Sequence, residues 1–173
     1  MTLVGIDLGV HKIACSVFIE VDAGYALYLA ADFSSQAAER DIQLMELAAF
    51  AHDTCQSQGA DAVWIEKPIL GNNRKYSLQL AETFGAVCAG LARERLQSGM
   101  DIRSVDNKAW KKQVIGSGNA SKDDIRNYIH DVHPAYALLC GEDQDRFDAC
   151  GIGLYGLQIT ARARDLHLAE APE

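Results

Sequence analysis

Val4-Gly5-Ile6-Asp7-Leu8-Gly9 decides how the rest of this chain is read. Residues 3–7 form a short apolar strand, and Asp7 closes it two positions before a glycine. A carboxylate at the end of a hydrophobic run is costly to bury without a partner. Gly9 leaves little bulk around it, so the side chain can point beyond the sheet edge. The same pattern recurs in Ala62-Val63-Trp64-Ile65-Glu66, a second buried strand ending in an acid. A third acidic station, Asp145-Arg146-Phe147-Asp148-Ala149-Cys150, opens a late apolar helix, and its aspartates, three residues apart, share one face. Singly, each has an ordinary explanation: a turn aspartate, a strand-end glutamate paired with Lys67, and the usual acidic bias of a helix N-terminus. Together, Asp7, Glu66, Asp145 and Asp148 would repel one another unless cations sat between them. An all-oxygen donor set suits hard ions, Mg2+ first and Mn2+ second, and points to metal-assisted phosphodiester chemistry.

Around these stations the chain alternates strands and helices. Residues 11–20 and 25–33 read as two more strands, with a turn at Asp22-Ala23-Gly24, so the chain starts as an antiparallel meander. Apolar residues at helical spacing predict a helix over 36–58, stopped before Gly59. The strand 61–66 should lie parallel to the first. A helix over 75–97 follows the Asn72-Asn73 loop, then a strand over 101–105. Helices over 107–114 and 121–132 are separated by Gly116-Ser117-Gly118, Pro134 breaks the chain, and a last helix covers 144–165. Gly151 and Gly153 would weaken that helix by about 1 kcal/mol each relative to alanine, which close packing on the sheet would offset. The order predicts an α/β fold, a mixed five-stranded sheet with helices on both faces. Residues 1–168 are expected to form one domain and 169–173 a frayed tail.

The chain has 173 residues, 49% hydrophobic and 23% charged, an ordinary globular composition. No segment is apolar and long enough for a membrane span, and the N-terminus lacks the basic region of a signal peptide. The five cysteines are scattered without a CxxC pair, which implies reduced core residues and a cytoplasmic location, and a zinc site is weakly supported because no Cys/His cluster has ligand spacing. The formal net charge of −8 argues against loose binding to a polyanion. However, residues 67–126 carry a net charge of +5, against −8 before them and −5 after. Positive charge is thus confined to segments that can flank the acidic stations.

These residues carry a resemblance. Gly5-Ile6-Asp7-Leu8-Gly9, Ile65-Glu66, the stretch from Lys111 to Lys122 and Asp145-Arg146-Phe147-Asp148-Ala149, in that order and separation, resemble the RuvC-type Holliday-junction resolvases of the RNase H-like nuclease superfamily. The resemblance implies an RNase H-like domain in which Asp7, Glu66, Asp145 and Asp148 bind two divalent ions. It implies paired nicks in four-way DNA that leave 5′-phosphate and 3′-hydroxyl ends, and a homodimer to make them. It also places Lys111, Lys112, Gly116, Gly118 and Lys122 beside the DNA, with Lys122 stabilising charge at the reacting phosphate. The loop after Glu66 departs from the family pattern. Where an aromatic wedge is common, this chain has Lys67-Pro68-Ile69-Leu70-Gly71-Asn72-Asn73, so Ile69 or Leu70 takes that role, with Tyr76 the nearest aromatic. Lys67, Arg74 and Lys75 complete the expected DNA contacts. No residue identifies a branch-migration helicase as partner.

Other readings compete. The Gly-Ile-Asp-Leu-Gly stretch also fits the first phosphate loop of actin- and Hsp70-like ATPases, but those need a second such domain and loop. A transposase-type or RNA-processing nuclease of the same superfamily would use the same acids. A junction-binding module without activity would have no need of four costly carboxylates. His11 and His133 read as surface or capping residues rather than ligands.

Overall fold

The computed structural model describes residues 1–22, 24–69 and 71–169. Among these, five strands form one sheet: β1 (Thr2–Leu8), β2 (Lys12–Val21), β3 (Gly24–Ser34), β4 (Ala62–Glu66) and β5 (Asp101–Val105), in the order β3-β2-β1-β4-β5. The first three are antiparallel, and β1, β4 and β5 run parallel. The helices are α1 (Arg40–Ser57), α2 (Arg74–Ser98), α3 (Asn107–Val114), α4 (Lys122–Val132), α5 (Pro134–Cys140) and α6 (Gln144–Ala169). No described helix is long and apolar enough to cross a membrane.

The period-two alternation of β1 sorts its side chains between two cores. Val4, Ile6 and Leu8 join the cluster containing Leu47, Ala51, Val87 and Leu91, on the α1/α2 side. Leu3 faces the opposite cluster, with Trp64, Trp110, Phe147 and Ile152, where α6 lies with α3, α4 and α5 around it. Gly5 and Asp7 share that face by the same alternation. A β-carbon on Gly5 would come within 2.5 Å of the Ala149 carbonyl and the Gly153 amide, so backbone packs on backbone there. Gly153 and Gly156 instead make room for the Phe18 and Trp64 rings, and the buried Ser16 hydroxyl donates to the Ala149 carbonyl (2.8 Å). The sequence expectation of a closely pressed helix is met.

Three local features differ from expectation. The first helix begins at Arg40, not at 36, where Ser35 instead accepts the Ala37 amide and donates to Glu46. Pro134 starts α5 rather than only breaking the chain, because a proline at the first helical position gives up an amide that has no partner anyway. α6 runs to Ala169, past the expected 165, and the rest of the expected tail lies outside the described residues. Elsewhere the ends are set by caps. Asn73 accepts the Tyr76 amide at the start of α2, left-handed Gly99 ends it, and Ser121 and Asp124 form a capping box on α4.

Candidate metal centre

The parallel pairing of β1 with β4 ends at Ile6–Ile65, which brings Asp7 and Glu66 side by side one residue further on. α6 descends on the same face, and its first two turns deliver Asp145 and Asp148. One oxygen from each of Asp7, Asp145 and Asp148 lies within 4.8 Å of the others. The crowding has the expected electrical consequence. Desolvation raises the Asp7 carboxyl well above its ordinary value, and the charges of Asp148, Glu66 and Asp145 add to this, against a smaller lowering by Lys122. Asp148 is pushed up to about 6, chiefly by burial, although Gln144 donates to it (3.2 Å) and Lys122 and Lys111 lie close enough to lower it. Three carboxylates crowded in this way, with Asp7 and Asp148 reluctant to ionise, suit a hard divalent cation.

Glu66 is near enough to act on both aspartates but lies outside the three-carboxylate group. Its oxygens accept from Asn107 Nδ2 (2.9 and 3.0 Å) and from the indole Nε1 of buried Trp110 (2.6 Å). The pairing with Lys67 does not form; Lys67 faces Asp106 at 3.7 Å. Asn107 and Trp110 therefore fix this carboxylate, and sequence reasoning missed both. The only signal was their place in the helix directly after β5, the strand beside Glu66.

On the other flank, Asp143 caps α6, its Oδ1 accepting the amides of Asp145 (3.0 Å) and Arg146 (3.3 Å). Lys12 Nζ lies against Asp143, 3.1 Å from Asp145 and 3.6 Å from Asp32. Arg146 Nε pairs with Asp32 at 2.6 Å. Lys12 and Asp32 were not singled out from the sequence, and Asp143 was read only as one of the acids of the helix N-terminus.

Of the basic candidates, Lys122 and Lys111 lie close enough to the centre to act on Asp148. Lys122 is the first residue of α4 and exposed. Lys111 is partly buried, with its ammonium 5.6 Å from the Trp110 ring centre, and Lys112 is exposed. Gly116 has a left-handed φ of 93°, whereas Gly118 is needed by its neighbour, since a β-carbon there would sit 3.1 Å from the Lys108 carbonyl. Lys67, Ile69, Arg74 and Lys75 are exposed, and Leu70 lies outside the described residues. Ile69 and Tyr76 border an open cleft of about 380 Å³ that also reaches Glu66. His11 bonds to Gln43 (2.6 Å) and His133 stacks on Tyr136, so both have structural partners.

Residues 3–137 match the family described as crossover junction endodeoxyribonuclease RuvC. A protein of that description from Rhodospirillum rubrum is 29% identical over 107 residues, which span 62% of this chain and 59% of the relative's own length. The fold is similar to that of Thermus thermophilus RuvC in complex with a Holliday junction substrate (TM-score 0.72, 16% identity, 92% of this chain and 94% of that one). It also resembles the yeast mitochondrial Holliday junction resolvase Ydc2 (TM-score 0.68, 12% identity, 94% and 80%). The family match stops before α6, so the meeting of Asp145 and Asp148 with Asp7 is an independent observation of the structure.

Proposed function

The chain belongs to the RuvC family, and from that premise we propose that it is a structure-selective endodeoxyribonuclease that resolves four-way DNA junctions. The observation that carries this is the convergence of Asp7, Asp145 and Asp148 from opposite ends of the chain. These three, with Glu66 as fourth ligand, would hold two divalent ions, Mg2+ or in its place Mn2+. Such ions supply Lewis-acid stabilisation of the reacting phosphate and a more acidic water.

The chain's own residues do the rest. Asn107 and Trp110 keep the Glu66 carboxylate aimed, so this side chain need not reorganise on substrate arrival. Lys122, already felt by Asp7 and Asp148, offsets charge that develops on the phosphate. Lys67, Arg74, Lys75, Lys111 and Lys112, with the backbone at Gly116 and Gly118, would hold neighbouring phosphates, and their positive charge compensates for an acidic molecule. Ile69, with Leu70, would wedge the junction centre, with Tyr76 beside it. Symmetrical nicks on two strands need two such centres, hence a homodimer on a two-fold junction. Residues 1–168 act in this reading as one nuclease domain, supported by two cores that share one sheet. Five free cysteines are in keeping with a cytoplasmic location.

Incubation with four-way, Y-fork and linear DNA, with and without Mg2+, tests the proposal. Paired, ligatable nicks are expected on the four-way substrate alone, and Asp7→Asn should abolish them while junction binding persists. Equal cutting of linear duplex, or turnover by Asp7→Asn, would refute it.

A further inference from the structure

We propose that Lys12 is a positioning residue of the metal centre, a tethered positive charge that holds Asp145 in place and sets how tightly the centre grips divalent cations. The inference rests on the reading of Asp7, Asp145 and Asp148 as metal ligands.

Lys12 cannot drift from this place. It follows the β1–β2 hairpin, where the Gly9 amide donates to the Lys12 carbonyl (2.7 Å). Arg40 anchors the same hairpin through the Val10 carbonyl (2.7 Å) while also reaching Thr83 on α2 (3.0 Å). From this base the ammonium reaches both Asp143, the cap of α6, and Asp145, two residues further on. Asp32, across the sheet on β3, completes a set in which Lys12 and Arg146 face three carboxylates. The set is only partly exposed, so its charges are weakly screened.

Loss of the ammonium would have two opposed effects on cation binding. Asp145 would be less ordered, which weakens binding, but a short aspartate has little rotamer freedom to lose. A full positive charge in contact with a ligand carboxylate would also be gone, and at separations of a few ångström that Coulomb effect is the larger. The net expectation is tighter binding. Lys12 thus keeps the centre ordered while empty, and moderates its affinity once an ion arrives.

Calorimetric titration of the metal-free protein with MgCl2 tests this for wild type, Lys12→Met, Lys12→Gln and Lys12→Arg. Both neutral variants should bind about tenfold more tightly, Lys12→Arg should match wild type, and half-saturating Mg2+ for cleavage should fall with the dissociation constant. Equal or weaker binding by the neutral variants overturns the inference. So does failure of both to fold while Lys12→Arg folds, since Lys12 would then be only a staple between β2 and α6. Absence of any Mg2+ binding in wild type that Asp7→Asn removes would instead refute the metal-centre reading on which the inference stands.

Discussion

Asp148 carries a measurable cost of the centre. Its carboxyl is raised to about 6, so the native state holds a proton that the unfolded chain has already shed. Stability from this residue is therefore intact at low pH, declines as pH rises from the ordinary carboxylate range toward about 6, and is fully lost above it. At about 1.4 kcal/mol per pKa unit, the penalty near neutrality is on the order of 3 kcal/mol. Asp148→Asn should remove it. In metal-free denaturant titrations, the variant's advantage over wild type should grow by roughly 1 kcal/mol between about pH 5 and about pH 7.5, and saturating Mg2+ should shrink it. A flat difference across that range would contradict the burial of this carboxylate. At this scale the sequence was informative about which acids matter, because each ends a strand or begins a helix. It was silent on their orientation. Nothing in the residues around Glu66 says that an indole and an amide from α3 will claim its oxygens. Nor does Lys12 announce that it crosses to α6, since both contacts exist only after the sheet and helix have docked.

Strand β1 and helix α6 make the centre together, and their contact is where a small change should do most harm. Gly5→Ala would push a methyl into the Ala149 carbonyl and the Gly153 amide. Neither is a flexible side chain, so the helix itself must move. Overpacking of this kind costs about 1–3 kcal/mol, and a displaced α6 also carries Asp145 and Asp148 away from Asp7. Cleavage should therefore fall at least a hundredfold in protein that still shows a cooperative, if lower, melting transition. Near-normal turnover would show that α6 need not sit so close. The glycines of α6 were legible as a packing signal from their helix-breaking cost alone. The opening meander was legible from its short connections, and a strand parallel to β1 was expected beside it, whereas the place of β5 at the far edge came only from the structure. α5 was not legible, because a proline reads as an end unless its place in the first turn is known. The late start of α1 escaped for a similar reason: residues 36–39 have helix-compatible composition, but Ser35 holds the chain in a turn.

For the whole molecule, the proposed homodimer is the feature most open to test. α2 leaves Leu78 and Leu96 exposed at 62% and 88% along its length, while the same helix buries Val87 and Leu91 in the core. If α2 forms the dimer face, Leu78→Glu should lower the sedimentation mass from that of two chains to that of one. Folding should be unaffected, since the side chain already meets solvent. Junctions should then be nicked on one strand at a time. An unchanged mass would move the interface elsewhere.

The centre draws one pair of its aspartates from the last helix, far downstream of Asp7 and Glu66. During synthesis, a chain still emerging from the ribosome carries only the upstream pair, and the second pair arrives when residues beyond 144 dock on the finished sheet. Unfinished or prematurely terminated copies thus lack half of the acidic set, and under the proposed reading they would be unable to assemble the cation-binding centre.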